Sequence, residues 1–445
     1  MNDRREIFKQ LEAQRAATEK RVSEGIERYR KGDARITVKD KNGRPIPAAS
    51  VRVFQKTHAF RFGANLFMLD ELETEEKNKR YREAFANVFN LATLPFYWKD
   101  QEPTEGHRRF AKDSERIYRR PPIDLCIEYC RRHGIEPREH CLNYESWIPE
   151  WLIDAPVSRI KEKLEERIRI LAERYGDDIP CWEVTNETLY HRRGQKVSAF
   201  YHERDYVEWS FKTAEKYLKN KRLVINDAHC NVWSGAFNHQ RSAYYMQIEN
   251  ELSRGSRIDA IGLQFHMFFP KEQEAASTRL FYDPAHLFEV MDTYADFGLP
   301  LQITEITLPA YSGDPEDEAI QAELLEHLYS IWFSHPNMDE IIYWNLVDGY
   351  AAFAPQGDMT AGENRYYGGL LRFDLSEKPA YQKLYELIRK RWHTEAALTT
   401  DAEGACSFRG FYGSYAVTVE VGGERFELTL DLASEGEGTL EVTLP

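Results

Sequence analysis

The chain has 445 residues and a mass of 52.2 kDa, with 42% hydrophobic residues, 30% charged residues and a mean hydropathy of −0.62. This composition is typical of a globular protein, and it excludes a disordered chain as well as a membrane-spanning one. Lys and Arg number 59 against 73 Asp and Glu. The resulting net charge of −14 argues against a nucleic acid or an anionic membrane as the partner.

Residues 1–32 predict a long and mostly exposed helix. Sparse apolar residues recur there at roughly helical spacing, and the pattern ends at Gly32. The segment lacks the apolar core of a secretory signal peptide. We therefore expect a cytoplasmic protein if Met1 is the native start, and a secreted protein if the natural chain has been trimmed.

Two further segments show the alternation of β-structure. Residues 33–57 alternate polar and apolar side chains around Asn42 and Gly43, which predicts a hairpin. Residues 393–445 show the same alternation, with a turn at Gly422 and Gly423 and one further strand near the C-terminus. We predict that the two segments pair into one small accessory β-sandwich. Its aromatic residues would either form a sugar platform or pack against the rest of the protein.

Residues 58–392 alternate short apolar runs with amphipathic helical patterns. Alternation of strands and helices implies parallel pairing, and eight such units in one run predict a closed (β/α)8 TIM barrel. A doubly wound open sheet is the alternative. It would normally carry a Gly-rich phosphate loop after its first strand, and the sequence has no such loop. The predicted strands are residues 60–66, 88–93, 137–142, 181–185, 223–226, 260–264, 301–304 and 341–345.

The sequence predicts neither a cofactor nor a metal. Its six cysteines are too few and too dispersed for a disulfide framework. Cys126 and Cys130 are four residues apart, but no second pair with zinc-like spacing accompanies them. The thirteen histidines form no metal-binding pattern either. Buried free thiols are the expected state of these cysteines.

Polar side chains follow the predicted barrel strands, at the end where such barrels carry their functional residues. Glu187 after the fourth strand and Glu305 after the seventh would face each other across the barrel mouth. Paired carboxylates are what glycoside hydrolysis requires, one as proton donor to the leaving oxygen and the other as nucleophile on the anomeric carbon. The other strand-end candidates are Lys99, His140, Tyr144, Asn186, Asn226, Asp227, Gln264, His266, Trp344 and Asp348.

Seven motifs in order resemble those of glycoside hydrolase family 10, the retaining endo-β-1,4-xylanases, over about residues 58–392. WEVTNE (182–187) is similar to the acid/base motif of that family, and LQITEITL (301–308) is similar to its nucleophile strand. The other five are FNLATLPFYWK (89–99), PREHCLNYESWIPEW (137–151), DAIGLQFHMF (259–268), YWNLVDG (343–349) and KPAY (378–381). The resemblance implies cleavage of β-1,4-xylosidic bonds in xylan or xylo-oligosaccharides by two glutamates, without a cofactor.

The resemblance also implies individual roles. Glu187 would be the general acid/base, and Glu305 would be the nucleophile. Trp344 would form the apolar floor under the sugar, where an indole offers a large contact area. The substrate-binding residues implied in this way are Lys99, His140, Tyr144, Asn186, Gln264, His266 and Trp344.

The sequence departs from the family at the rim of the site. The Glu-Asn pair that usually follows the second strand is Pro95-Phe96 here, and the Trp and His after the third strand are Tyr144 and Glu145. A second tryptophan platform is replaced near Ala352. We therefore expect a conserved centre with rebuilt flanks. Linear xylan is the leading substrate, and a decorated xylan or another β-linked glycan is the alternative.

Two other classes of function compete with this interpretation. A non-catalytic carbohydrate-binding barrel commonly loses one catalytic glutamate, whereas both Glu187 and Glu305 are present. A barrel enzyme of other chemistry would need a Schiff-base lysine, a metal cluster or a phosphate-gripping loop, and the sequence has none of these in place. The sequence leaves the oligomeric state and the choice between endo and exo action open.

Overall fold

A computed structural model describes residues 4–189, 196–234, 239–434 and 438–444. The strands are β1 (Lys31–Lys39), β2 (Ser50–Gln55), β3 (Arg61–Asn65), β4 (Leu91–Pro95), β5 (Glu136–His140), β6 (Cys181–Asn186), β7 (Arg222–Asp227), β8 (Ala260–His266), β9 (Leu301–Thr307), β10 (Met338–Tyr343), β11 (Glu395–Thr399), β12 (Ala405–Phe411), β13 (Gly413–Val421), β14 (Glu424–Leu432) and β15 (Gly438–Thr443).

The α-helices are α1 (Lys9–Ala13), α2 (Arg15–Tyr29), α3 (Glu75–Val88), α4 (Trp98–Gln101), α5 (Ile123–His133), α6 (Val157–Tyr175), α7 (Tyr206–Tyr217), α8 (His229–Trp233), α9 (Ala243–Ser253), α10 (Glu274–Ser277), α11 (Pro284–Ala295), α12 (Pro315–Ser334) and α13 (Pro379–Glu386). Across the described ranges, no helix combines the length and the apolar composition that crossing a lipid bilayer requires.

Strands β3 to β10 form a closed barrel in which every neighbouring pair is parallel and β10 returns to pair with β3. The predicted (β/α)8 barrel is therefore confirmed, and a strand stands at each of the eight predicted places. Two of them are shifted. The second begins at Leu91 because α3 continues to Val88, and the eighth ends at Tyr343. Because all eight strands are parallel, their carboxyl ends meet at one face of the barrel.

The helices cover the barrel through apolar stripes. In α6, the buried residues Ile160, Leu164, Ile168 and Leu171 recur every three or four positions, which places them on one face of the helix. Helix α12 begins with the Asp314 side chain accepting a hydrogen bond from the Glu316 amide, and Pro315 occupies its first turn. Such caps satisfy amide groups that the helix itself leaves unpaired.

The two ends of the chain form two sheets that face each other. One sheet has the order β12-β1-β15 and the other has the order β11-β2-β13-β14. Apolar residues of both sheets, such as Ile36, Val51 and Val417, share one buried core. The sandwich predicted from the N- and C-terminal segments is therefore present, and β13 and β14 form the hairpin predicted around Gly422 and Gly423.

The hairpin predicted for residues 33–57 is wrong. A tight turn does form there, since the Gly43 amide donates to the Asp40 carbonyl. However, β1 pairs with β12 and β15, whereas β2 pairs with β11 and β13 in the opposite sheet. The chain thus crosses from one layer of the sandwich to the other after the turn.

The N-terminal helix is interrupted and docked on the barrel. It divides at Gln14 into α1 and α2, and α2 runs along α12. At Gly25 the two helices come so close that an added Cβ would lie 2.4 Å from the Ser334 carbonyl oxygen. Phe8 and Leu11 are buried in the main core. The predicted helix is therefore less exposed than its sparse apolar residues indicated.

Candidate active site

A cleft of about 400 Å³ opens at the carboxyl ends of the barrel strands. Glu187 and Glu305 both line it, as do most of the side chains that the sequence placed at strand ends. The closed parallel barrel directs these residues to the cleft, since each lies near or just beyond the carboxyl end of a strand. The predicted site residues that line it are His140, Tyr144, Asn186, Glu187, Gln264, His266, Glu305 and Trp344.

Glu187 lies directly after β6 and is half-buried. Its backbone is left-handed, with φ of 50°, and its amide donates to the Asn226 carbonyl at 3.1 Å. Left-handed backbone is uncommon for a residue other than glycine, and it turns the side chain out of the strand direction. The carboxylate accepts hydrogen bonds from the Tyr144 hydroxyl at 2.5 Å and from Gln264 Nε2 at 3.2 Å.

Glu305 lies within β9 and is almost fully buried. Its Oε1 accepts hydrogen bonds from Asn226 Nδ2 and from Gln264 Nε2, each at 3.1 Å. Its Oε2 lies 3.1 Å from His266 Nε2. Three donors from β7 and β8 therefore surround this carboxyl group, and they hold it in one orientation.

Groups around Glu305 shift its pKa in opposite directions. Burial, together with the carboxylates of Glu183 and Glu187, raises the pKa of Glu305 to about 8. The positive charges of His140 and Arg138 act against this rise. A buried carboxyl group with a raised pKa at a cleft is characteristic of a functional site.

His266 connects Glu305 to the neighbouring strand. Burial lowers the pKa of His266 to about 4, so the ring is neutral around neutral pH. Its Nδ1 lies 2.9 Å from the Thr307 hydroxyl, and its Nε2 faces Glu305. With Thr307 donating to Nδ1, the single ring proton lies on Nε2 and is donated to the Glu305 carboxylate.

His140 is held in an ionic network below the cleft. Its Nδ1 lies 2.9 Å from Glu183 Oε1, and its Nε2 lies 3.0 Å from the Tyr97 hydroxyl. Burial opposes protonation of this ring, but the Glu183 carboxylate prevails, so the pKa of His140 is raised. Glu183 also forms an ion pair with Arg138 at 2.8 Å. His140 therefore places positive charge near Glu305.

Two amides order the centre of the site. Asn186 Oδ1 accepts hydrogen bonds from Asn226 Nδ2 and from Gln264 Nε2, each at 3.0 Å. Within the described ranges, the Asn186 Nδ2 group has no acceptor, so its donors remain for a ligand in the cleft. Gln264 differs from the other candidates because its one amide nitrogen contacts both Glu187 and Glu305.

The apolar floor of the cleft is aromatic. Trp344 packs edge-on against Phe67, His140 and His266, with ring centroids 5.2, 5.3 and 5.9 Å apart. Its indole is almost fully buried beneath the cleft that it lines. Stacking on the apolar face of a sugar ring suits such a surface.

Lys99 does not line the cleft, contrary to the expectation from its motif. The chain turns into α4 directly after Tyr97, and Lys99 on that short helix is partly exposed and pairs with Glu150 at 2.7 Å. Tyr97 occupies the place at the cleft instead. The start of α4 at Trp98 is the physical reason for the difference, because it places the lysine on a helix and not on an extension of the strand.

Sequence reasoning missed several residues at the rim. The rings of Tyr97 and Trp147 pack at a tilt with their centroids 4.5 Å apart. The charged side chains of Arg119, Arg120 and Glu363 line the same cleft. None of these follows a barrel strand directly. Tyr97 and Trp147 lie within two of the motifs quoted above, whereas no sequence signal marks Arg119, Arg120 or Glu363.

Among the described residues, the cysteines and other residues that could bind a metal form one cluster, which lies beside Glu305. In the part of the chain that the structure describes, the group of such residues close enough to share an ion is His140, Cys141 and Glu183. Both ring nitrogens of His140 are engaged in hydrogen bonds, and Glu183 is paired with Arg138. These three residues therefore belong to the network below Glu305.

Comparisons with known proteins agree with the barrel and its extent. The family model described as Glycosyl hydrolase family 10 matches residues 60–387. Among curated proteins, anti-sigma-I factor RsgI6 of Acetivibrio thermocellus is 25% identical over 438 residues, which cover 95% of this chain and 49% of that protein. Endo-1,4-beta-xylanase 2 of Arabidopsis thaliana is 23% identical over 409 residues, which cover 90% of this chain and 33% of that protein. The chain thus spans half or less of these two relatives.

Solved structures match the same fold. Xylanase 10B of Thermotoga petrophila in complex with xylobiose superposes with a TM-score of 0.57 at 20% identity, covering 75% of this chain and 95% of that one. Native xylanase 10B of Thermotoga maritima gives the same TM-score and identity. Because the family model matches well over half of the residues, and its range contains the closed barrel, the chain belongs to glycosyl hydrolase family 10.

Proposed function

We propose that the chain is a retaining glycoside hydrolase that cleaves β-1,4-xylosidic bonds in xylan or xylo-oligosaccharides by double displacement. The family supports a glycosidase, and the names of its endo-1,4-beta-xylanase relatives support xylan as the substrate. The retaining mechanism is supported by the geometry of the two glutamates.

The observation that carries the mechanism is the contact of one nitrogen with both carboxyl groups. Gln264 Nε2 lies 3.2 Å from Glu187 Oε1 and 3.1 Å from Glu305 Oε1, so these two oxygens are at most 6.3 Å apart. Inverting enzymes need roughly 6.5–9.5 Å to admit a water molecule, whereas retaining enzymes hold their carboxyl groups about 5–5.5 Å apart. The spacing favours a direct attack by one carboxylate.

In the first step, Glu305 attacks the anomeric carbon while Glu187 donates a proton to the departing glycosidic oxygen. The bond to the leaving group breaks as the bond to Glu305 Oε forms, which leaves a glycosyl ester and an ionised Glu187. Glu305 suits the nucleophile because it is buried and fixed by three donors. Glu187 suits the acid because it is half-buried and reaches into the cleft from a turned backbone.

In the second step, Glu187 takes a proton from water, and the resulting hydroxide displaces Glu305 from the anomeric carbon. Both inversions occur at the same carbon, so the product retains its configuration. Gln264 couples the steps, since its amide contacts each carboxylate and can follow the negative charge from Glu305 to Glu187. The developing positive charge on the sugar lies between these two acidic groups.

The first test is the configuration of the initial product. The purified protein is mixed with xylotetraose, and the anomeric protons are followed by NMR before mutarotation. We expect the β-anomer to appear first. Initial release of the α-anomer would contradict the retaining mechanism, and a protein inert on all xylose-based substrates would contradict the proposed function.

A second measurement separates xylan from other β-glycans. Products from xylan, arabinoxylan, mixed-linkage glucan and galactan are compared by chromatography. We expect xylo-oligosaccharides. Cleavage of a different β-glycan alone would retain the mechanism and assign a different substrate, with the rim residues as its cause.

A further inference from the structure

Two consecutive arginines, Arg119 and Arg120, lie in the long loop between α4 and α5 and line the active-site cleft. Only 5% of Arg119 and 7% of Arg120 is exposed. Burying a guanidinium group is costly unless its charge is compensated and its donors are paired. The partners of each arginine therefore show whether it serves the fold or a ligand.

Arg120 is a structural residue. Its Nε donates to Asp100 Oδ2 at 2.6 Å, and its Nη1 donates to the Arg119 carbonyl at 2.9 Å. Its guanidinium lies 4.1 Å above the Tyr97 ring and 4.8 Å from the Trp147 ring. An ion pair and two aromatic faces thus compensate this charge.

In the part of the chain that the structure describes, Arg119 lacks an ion pair of the kind that Arg120 forms with Asp100. Its Nη1 donates to Asn345 Oδ1 at 3.0 Å and to the Tyr350 carbonyl, and both acceptors are neutral. In the described ranges, no carboxylate lies within ion-pair distance of Arg119, and neither its Nε nor its Nη2 has an acceptor. The nearest acidic group in this network is Glu363, which is separated from Arg119 by Asn345 because Glu363 Oε2 accepts from Asn345 Nδ2 at 3.0 Å.

The unengaged donors of Arg119 have a defined shape. Nε and Nη2 form one edge of the guanidinium plane, and two parallel N–H groups on such an edge match the two oxygens of a carboxylate. The backbone at Arg119 is left-handed, with φ of 63°, which an arginine rarely adopts. Burial lowers the pKa of Arg119, the Glu363 carboxylate acts against this, and the charge of Arg120 lowers the pKa further. Because the net effect is still a lowered pKa, an anionic ligand beside the open edge would stabilise this guanidinium.

We propose that Arg119 binds the carboxylate of a uronic acid carried by the glycan, so that the preferred substrate is an acidic, uronic acid-substituted xylan. The inference rests on the proposed function, because it assigns the decoration of the same substrate. The net charge of −14 does not oppose it, since binding of this substituent is decided locally by the Arg119 guanidinium. Among glycan substituents, the uronic acid supplies the planar carboxylate that this guanidinium edge fits.

Arg119 also lies beside the surfaces that would bind the sugar. Its guanidinium is 5.7 Å from the ring of Phe67, which packs against Trp344 on the floor of the cleft. A sugar over Trp344 would therefore carry its substituent toward Arg119. The arginine thus acts in substrate recognition, at a distance from the two glutamates.

The test compares one polymer in two forms. Glucuronoxylan is used as such and after carbodiimide activation and borohydride reduction, which convert each uronic acid into the neutral sugar. We expect the wild-type protein to favour the acidic form by about 10- to 100-fold in kcat/KM, as charge-assisted hydrogen bonds are stronger than neutral ones. Comparing a ratio within each protein cancels any general loss of activity.

Two variants assign the preference to Arg119. In Arg119→Gln the ratio of kcat/KM on the acidic polymer to that on the reduced polymer should fall to about one. In Arg119→Lys, which keeps the charge but lacks the two parallel N–H donors, the ratio should fall most of the way to one. Arg116→Gln is the matched control, because this arginine of the same loop pairs with Glu71 outside the cleft. It should keep the wild-type ratio. Circular dichroism and thermal melting establish that each variant folds.

The outcomes separate this inference from the proposed function. A wild-type ratio near one, with both polymers cleaved, would overturn the inference and leave the function intact, whether or not the variants fold. A high ratio that persists in Arg119→Gln and Arg119→Lys would also overturn it. If neither polymer is cleaved, calorimetry with a uronic acid-bearing xylotriose is decisive. Absence of binding would then overturn the inference as well as the function.

Discussion

Replacing Gln264 with methionine tests how Glu305, the proposed nucleophile, is kept ionised. The change preserves side-chain length but removes the amide that donates to Glu305 at 3.1 Å and to Glu187 at 3.2 Å. A hydrogen bond to a charged group contributes about 1.5–3 kcal/mol. Because 1.36 kcal/mol corresponds to one pKa unit, its loss raises the pKa of Glu305 by roughly one to two units.

The measurement is the pH dependence of kcat/KM on an aryl β-xylobioside with an activated leaving group. Such a leaving group needs no proton from Glu187, so the acid limb reports ionisation of Glu305 in the free enzyme. A nucleophile must be ionised, so the rate rises with pH through its pKa. Since burial raises the pKa of Glu305 to about 8, the wild-type acid limb should lie well above the ordinary carboxyl range.

Gln264→Met should move this limb upward by about one to two units. Gln321→Met is a matched control, because Gln321 is also buried but donates to backbone carbonyls and the Tyr343 hydroxyl, away from both glutamates. Its profile should match the wild type. A wild-type limb near pH 4.5 would refute the argument from burial, and an unmoved limb in Gln264→Met would refute the role of the amide.

Three further changes test the site and the fold. Glu305→Gln should abolish turnover without lowering the free energy of unfolding in urea, because the amide is nearly isosteric; substantial residual activity would remove Glu305 as nucleophile. Glu187→Ala should lower kcat/KM on xylan by about 10²–10⁴-fold but lower kcat/KM on activated aryl glycosides far less; equal losses in kcat/KM would contradict the acid role. Burial and the charge of Arg30 lower the pKa of His58 to about 3, so acid destabilises the fold as pH falls below the unfolded pKa of about 6.5. The free energy of unfolding should therefore fall by about 2 kcal/mol between pH 7.5 and pH 5. His58→Asn should remove this pH dependence in urea titrations, whereas the exposed control His107→Asn should keep it.

The centre of the site could be predicted because it depends on strand ends. Glu187 and Glu305 terminate or follow apolar runs that only a buried parallel strand explains, and a closed barrel brings all such ends to one face. Lys99 shows the limit of this reasoning. It lies only four residues beyond the end of β4, but it is already part of α4, and its side chain pairs with Glu150.

The rim of the site could not be predicted because loop sequences lack the periodic spacing of apolar residues that marks helices and strands. Arg119 lies in a segment without helical or strand alternation, and its left-handed backbone depends on the packing around it. The turn at Gly43 illustrates the same limit in the sandwich. Local residues determine the turn, whereas the sheet that β2 joins is determined by pairing with β13, more than three hundred residues away.

The interior of the barrel explains how Glu305, the proposed nucleophile, can lose its proton although it is buried. Arg138 lies between Glu183 at 2.8 Å and Glu340 at 3.0 Å, and Glu183 also contacts His140. Without Arg138 and His140, the charge of Glu183 would oppose ionisation of Glu305 directly above it. Their positive charges lower the pKa of Glu183, so this carboxylate stays ionised, and the same charges act against its repulsion of Glu305. In the proposed mechanism, the ion pairs below the cleft therefore counteract the effect of burial on Glu305, and the loops above it select the sugar that this carboxylate attacks.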